Sequence, residues 1–229
     1  MTDLGERLRQ VDELLRQAYG DPGHRRPGEF LLSDQRGHPV DVLVATLLSQ
    51  STTDRQSARA LEALRRRFCR WDRAASAAVE EIAELIAGAG LQQQKAQRIS
   101  RILAGLKRVD PTMTLSFLHH WDTGSILSWL RSFEGVGPKT AACVALFALG
   151  RHQVPVDTHV RRVLGRLGIA REKDTATLQR KLSQAVPRGR GLSLHLNLMR
   201  LGRSVCRPRR PRCGCCPLRA LCPREGVRD

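Results

Sequence analysis

Three groups of residues in this 229-residue chain have types and spacings suited to chemistry. Near the end, Cys206, Cys213, Cys216 and Cys222 follow the pattern C-x6-C-x2-C-x5-C, with Cys215 as an extra thiol among them. Thiols this close, in a chain without secretory features, bind metal far more often than they pair as disulfides, and four of them suit either zinc or a [4Fe–4S] cluster. Upstream, the turn Gly135-Val136-Gly137 leads through Pro138 to Lys139, and Asp157 follows further along. Glycines permit positive φ and close backbone approach, and Pro138 suits the first position of a helix. Lys139 therefore stands at a helix start, where a cation opposes the macrodipole. As a neutral amine it is a nucleophile; as a cation beside such a turn it is a phosphate ligand. The third group is the polar run Ser49-Gln50-Ser51-Thr52-Thr53-Asp54 after an apolar stretch. It reads as a turn, or as a rigidly mounted set of donors and acceptors that can enter a DNA groove.

Composition narrows the partners. Lys and Arg number 39 against 22 acidic residues, a formal charge of +17, which points to nucleic acid or another anionic surface. No apolar run reaches the roughly eighteen residues of a membrane-spanning helix, and the first twenty residues are amphipathic and charged, so the expectation is a soluble intracellular protein. Only five of the basic residues are lysine (Lys95, Lys107, Lys139, Lys173, Lys181). Arginine binds phosphate but cannot act as an amine nucleophile, so a lysine kept at the glycine turn suggests covalent chemistry.

The elements that must position these groups read as helices. Leu4, Leu8, Val11, Leu14, Leu15 and Ala18 recur at helical spacing, predicting a helix over 3–19. A break at 19–28, with DPG and RPG, is the first candidate boundary between lobes. A short buried helix over 40–48 precedes the polar run, and Thr53 is placed to cap a helix over 54–68. Further helices are predicted over 76–87, closed by the glycines at 88 and 90, over 91–109, and from an Asp122 or Thr123 cap to 133. After the glycine turn a helix should run from Pro138 to a stop at Gly150, followed by helices over 158–167, 175–185 and 192–204. Cys69 and Cys143 fall in apolar helical contexts and read as buried small hydrophobes. Leu91, at a helix entrance, reads as a hydrophobic staple or as a wedge for a base step. No stretch shows strand alternation, so the fold class is all-α.

Taken together, LLSQSTTD at 47–54, EGVGPKTA at 134–141, VDTHVRRV at 156–163 and the terminal cysteine spacing resemble the endonuclease III family of helix-hairpin-helix DNA glycosylases. The likeness runs from about Val40 to Cys222. It implies a two-lobed, all-α protein with DNA across the cleft: a six-helix barrel over 29–151 that carries the hairpin, and a second lobe from 1–28 and 152–229 holding an iron–sulfur cluster. Cys206, Cys213, Cys216 and Cys222 would then ligate a [4Fe–4S] cluster, with Cys215 free and the neighbouring arginines forming a basic loop.

The same resemblance places the family's catalytic lysine on Lys139 and its catalytic aspartate on Asp157, which also suits an N-cap. Implied DNA contacts are backbone groups at Gly135, Gly137 and Thr140, together with His159, Arg209 and Arg210. Hairpin carbonyls would hold a monovalent cation. Family members fill the gap left by a flipped nucleotide with a glutamine; Ser51 stands at that aligned position, Gln50 lies one residue earlier, and Leu91 and Gln92 are alternatives on the opposing loop. The implied activity is removal of oxidised pyrimidines from double-stranded DNA through a lysine Schiff base, followed by nicking 3′ to the abasic site. The alternatives are a monofunctional glycosylase for mismatched thymine or uracil, and a non-catalytic DNA-binding protein. Relatives that excise adenine usually lack the lysine, so Lys139 argues against that branch. The expectation is completed by a monomer in the bacterial cytoplasm, associated with the nucleoid.

Overall fold

Helical apolar spacing carries through: a computed structural model describes residues 3–22 and 38–227, and among them there are eleven α-helices and no strand. The described residues form two packing units, one of 38–151 and one of 3–22 with 152–227, each around its own apolar core. Of the break read at 19–28, residues 23–28, and with them the expected lobe boundary after residue 28, lie outside the described residues.

In the unit of 38–151, helix α2 (Pro39–Leu48) is central, and all ten of its residues are buried. Pro39 begins it, since the missing N–H belongs to a position with no intrahelical acceptor. Its buried Asp41 is compensated by Arg65 Nη1 at 2.6 Å and Trp71 Nε1 at 2.6 Å. Helix α3 (Asp54–Phe68) starts at a full capping box, in which Thr53 accepts from the Gln56 N–H and Gln56 Oε1 accepts from the Thr53 N–H. Such a cap is worth about 1 kcal/mol. A one-turn helix α4 (Trp71–Ala74), absent from the sequence reading, precedes α5 (Val79–Leu85), which starts three residues later than predicted. The predicted stop follows as a 3-10 turn at Ala87–Ala89, with Gly90 at φ +63°.

Helix α6 (Gln92–Val109) is the longest, and its buried Ala96, Ile99, Leu103 and Leu106 form the apolar stripe. Asp122 caps α7 (Thr123–Arg131) by accepting from the Ser125 N–H at 3.0 Å. The hairpin turn then leads into α8 (Pro138–Cys143), which does not run unbroken to Gly150. It widens into a π-helical turn over Val144–Ala148, where the Leu149 N–H reaches back five residues to Val144 O at 3.3 Å. Cys143 is buried as expected, but Cys69 is exposed. It lies one residue past Phe68, the last of the stripe Ala60, Leu61, Leu64 and Phe68, and its φ of +58° turns it off the helix.

The second unit holds α1 (Asp3–Tyr19), α9 (Thr158–Arg166), α10 (Thr175–Ala185) and α11 (Gly191–Ser204). Helix α11 packs on both α1 and α9. Two of its glycines allow close approach to the 153–159 segment. A Cβ at Gly191 would meet Gln153 O at 2.5 Å, and one at Gly202 would meet His159 Cβ at 2.8 Å. Between them, buried His195 pairs through Nδ1 with Pro155 O at 2.8 Å. Arg190 ties the start of α11 to α1 by donating to Asp12 Oδ2 at 2.8 Å.

Candidate active site

The hairpin turn uses its glycines differently. Gly135 has φ +90°, which a residue with a side chain rarely adopts. Gly137 is the N-cap of α8 with φ −83°, so it does not need positive φ, and a Cβ there would meet no atom of the chain within 4 Å. Its open surroundings leave room for a group from outside the chain. The start of α8 has no side-chain cap, and Pro138 donates nothing, so the N–H groups of Lys139 and Thr140 open the helix without an intrahelical acceptor. Thr140 itself is buried.

Lys139 is half-buried and makes no hydrogen bond or ion pair with any described residue. Lys95, Lys107 and Lys181 are all engaged: Lys95 with two carbonyls, Lys107 with Asp72 O and Ser76, and Lys181 with Glu172. No contact of its side chain within the described residues accounts for a lysine here, at a helix start where a cation opposes the macrodipole, which makes Lys139 a position to explain by chemistry. Asp157, in the other unit, is half-buried and caps α9, accepting from the Val160 N–H at 2.7 Å. Pro155 and His159, on either side of it, are held by the contacts of α11 just described.

The four gap-filling candidates sit on two loops. Ser51 and Leu91 are exposed, Leu91 by 56%, and both have left-handed backbones with φ +52° and +51°. For a residue with a Cβ this costs about 1–2 kcal/mol, and such strain concentrates at functional loops. Gln92 is exposed at the first position of α6. Gln50 is half-buried, and its Oε1 accepts from Arg98 Nη1 at 2.9 Å. The two loops share an anchor that sequence reading missed. Buried Lys95 donates to Leu48 O at 2.9 Å and Ala89 O at 2.7 Å, the residues just before each loop. Burial pushes its ammonium below the usual lysine range.

Around the cysteines, Cys206, Cys213, Cys216 and Cys222 line one cavity with Arg166, Arg212, Arg219 and Arg224. Cys215 does not line it: it is exposed and donates to Arg212 O at 3.4 Å. No three His, Cys, Asp or Glu side chains among the described residues gather as the ligands of a single ion would. Burial pushes the Cys216 and Cys222 thiols up, so both favour the protonated form until a metal's charge offsets that burial. Two arginines of α9 reach this region: Arg162 Nε donates to Cys206 O at 2.9 Å, and Arg166 Nη1 donates to Arg207 O at 2.7 Å and Cys206 Sγ at 3.3 Å. His159 is turned toward Arg162, with its Nδ1 at 3.3 Å from Arg162 Nη2. Arg209 and Arg210 are exposed on the loop between the first two cysteines.

Helices joined by an uncapped glycine turn, with a lysine in the first turn beyond it, make this an all-α helix-hairpin-helix protein. Residues 44–188 match the family described as HhH-GPD superfamily base excision DNA repair protein, and this chain belongs to it. It is 34% identical over 194 residues to endonuclease III of Bacillus subtilis, covering 82% of each chain, and 33% identical over 186 residues to endonuclease III of Synechocystis, covering 81% of each. A protein of Arabidopsis thaliana assigned by sequence as a DNA glycosylase is 36% identical over 140 residues; that match spans 61% of this chain and about half, 48%, of the plant protein. Among solved structures, a trapped endonuclease III–DNA covalent intermediate superposes with a TM-score of 0.79 at 25% identity, over 98% of this chain and 97% of that one. No helix among the described residues is long and apolar enough to cross a membrane.

Proposed function

We propose that this protein binds double-stranded DNA, releases oxidised pyrimidines as a base-excision glycosylase, and then cuts the strand 3′ to the resulting abasic site. The observation that carries this reading is Lys139 itself, placed in the first turn after the hairpin with a side chain that bonds no described residue. Relatives named endonuclease III, and the fold shared with a covalent endonuclease III–DNA intermediate, support it.

With the nucleotide flipped out of the duplex, the neutral Lys139 amine attacks C1′ of the deoxyribose. The N-glycosidic bond breaks, its electron pair leaves with the base, and the base takes up a proton. Loss of a proton from nitrogen and cleavage of the C1′–O4′ bond, whose electron pair goes to O4′ as that oxygen takes up a proton, open the sugar ring and leave an iminium between Lys139 and C1′. Removal of a C2′ proton then expels the 3′ phosphate by β-elimination, and water hydrolyses the imine to free the lysine. The carboxylate of Asp157 stabilises the positive charge developing on the sugar and receives the proton shed by the amine. Backbone groups at Gly135, Gly137 and Thr140 bind a phosphate, hairpin carbonyls hold a monovalent cation, and His159, Arg209 and Arg210 add contacts to the DNA backbone. Gln50, Ser51, Leu91 and Gln92 serve the gap left by the flipped nucleotide.

The four thiols that line one cavity fit a [4Fe–4S] cluster. Four cysteines around one cavity would hold zinc as readily as iron; similarity to endonuclease III relatives supports the multi-iron group. When bound, the cluster would cross-link the 206–222 loop, holding its arginines for phosphate contact.

The test is covalent trapping. Mixed with abasic-site duplex and borohydride, the protein should form a reduced adduct that Lys139→Gln abolishes. An adduct untouched by that substitution, or none at all, refutes the Schiff-base reading.

A further inference from the structure

We propose that Arg98 is a positioning residue for lesion recognition: it clamps the Gln50 amide against the hairpin turn with its carbonyl inward, leaving the Gln50 Nε2 as the donor offered to the base orphaned by flipping. This rests on the glycosylase reading above and names the side chain that sets the loop for it.

Three observations converge on Arg98, which is half-buried on α6. First, its Nη1 donates to Gln50 Oε1 at 2.9 Å, across 48 positions of sequence. A guanidinium only donates, so the amide orientation is settled by chemistry: oxygen toward Arg98, NH2 elsewhere. Second, the Arg98 stem lies over Gly135, where a Cβ would collide with Arg98 Cδ. One side chain thus packs on the hairpin turn and holds the polar loop at once, and the bare Cα of Gly135, suited to its φ of +90°, lets the stem lie this close. Third, Arg98 lies between two other ties on successive turns of α6. Lys95, one turn earlier, holds Leu48 O and Ala89 O, and Arg101, one turn later, pairs with Glu134 Oε2 at 2.6 Å. Loop base, loop side chain and hairpin are therefore mounted on one helix. Among the described residues Arg98 has no carboxylate partner, so its charge is not spent on an ion pair. A hydrogen bond with one charged partner is worth more than a neutral one, enough to hold a glutamine rotamer before DNA arrives.

The test uses a duplex with a tetrahydrofuran abasic analogue and 2-aminopurine opposite it, so that fluorescence reports engagement of the orphaned base without any chemistry. Arg98→Met keeps the stem over Gly135 and removes the donor. It should abolish most of the fluorescence change seen with the wild type and slow single-turnover release of an oxidised pyrimidine about tenfold. Affinity for undamaged duplex and the melting temperature should stay as in the wild type. Arg98→Lys should recover part of the signal. Gln50→Ala should match Arg98→Met, and the double variant should lose no more than either alone. Additive losses, a full signal in Arg98→Met, or an equal loss of affinity for undamaged duplex, the mark of a simple phosphate ligand, would overturn the clamp. A wild-type protein that gives the fluorescence change yet releases no base from any oxidised pyrimidine refutes the substrate reading and leaves the clamp standing. One that gives neither refutes both.

Discussion

Asp157 shows how one side chain can be asked to do two things. It caps α9 through the Val160 N–H, and on the proposed mechanism its carboxylate also faces the charge that develops on the sugar. Substitution separates the two roles. Asparagine caps helices as well as aspartate does, so Asp157→Asn should keep the melting temperature while single-turnover base release falls about 10²-fold or more. Asp157→Ala should lose both the activity and about 1 kcal/mol of stability, read from urea unfolding. An Asn variant as active as the wild type would reduce Asp157 to a cap. Spacing alone marked the cap, because an Asp followed three residues later by an apolar helical position is a local signal. It could not mark Cys69 as exposed, because that depends on where the chain turns after Phe68.

Helix α6 organises the 38–151 unit around the two strained loops. Its apolar stripe was legible as a period in the sequence, but the ties made by Lys95, Arg98 and Arg101 were not, since each finds its partner on another element. Lys95 gives this a measurable consequence. Burial lowers its folded-state pKa below the roughly 10.4 of an unfolded lysine, so between those two values the unfolded chain binds more protons than the folded one. Stability from this group therefore rises with pH through that window. Relative to Lys95→Met, the wild type should gain stability as pH rises from 7 toward about 10, measured as the difference in urea midpoints. A difference that stays flat or shrinks would show that the hydrogen bonds to the ammonium outweigh its burial. The Met variant should also loosen both loops, since Leu48 O and Ala89 O lose their shared donor.

At the scale of the whole molecule, the two units have separate cores, and the cysteine cavity belongs to the one built from 3–22 and 152–227. Removal of the proposed cluster should therefore act unevenly. The purified protein should be brown, and Cys216→Ser should bleach it. Hydrogen exchange should then rise in α9 and in 206–222, where Arg162 and Arg166 hold the cysteine loop, while the amides of α2 keep their protection. A colourless wild-type protein with one zinc per chain would replace the cluster by a different metal. The formal charge of +17 adds a field that draws the chain to DNA regardless of sequence.

The sequence by itself determined the all-α class, most helix boundaries and the family. Those rest on local properties: apolar period, capping residues, and glycine and proline at turns, together with motifs at 47–54, 134–141 and 156–163. It also nominated Lys139, Asp157 and the four cysteines, because their chemistry is carried by residue type and spacing. What only the tertiary structure decided is how the two strained loops are held. A guanidinium at 98 is an ordinary exposed-face arginine until folding brings Gln50 and Gly135 to it, and the π-helical widening after Cys143 leaves no mark in the apolar pattern. Side chains that bond across long sequence separations have no local signature, so the strut behind the loops emerged only when α6 was seen packed in place.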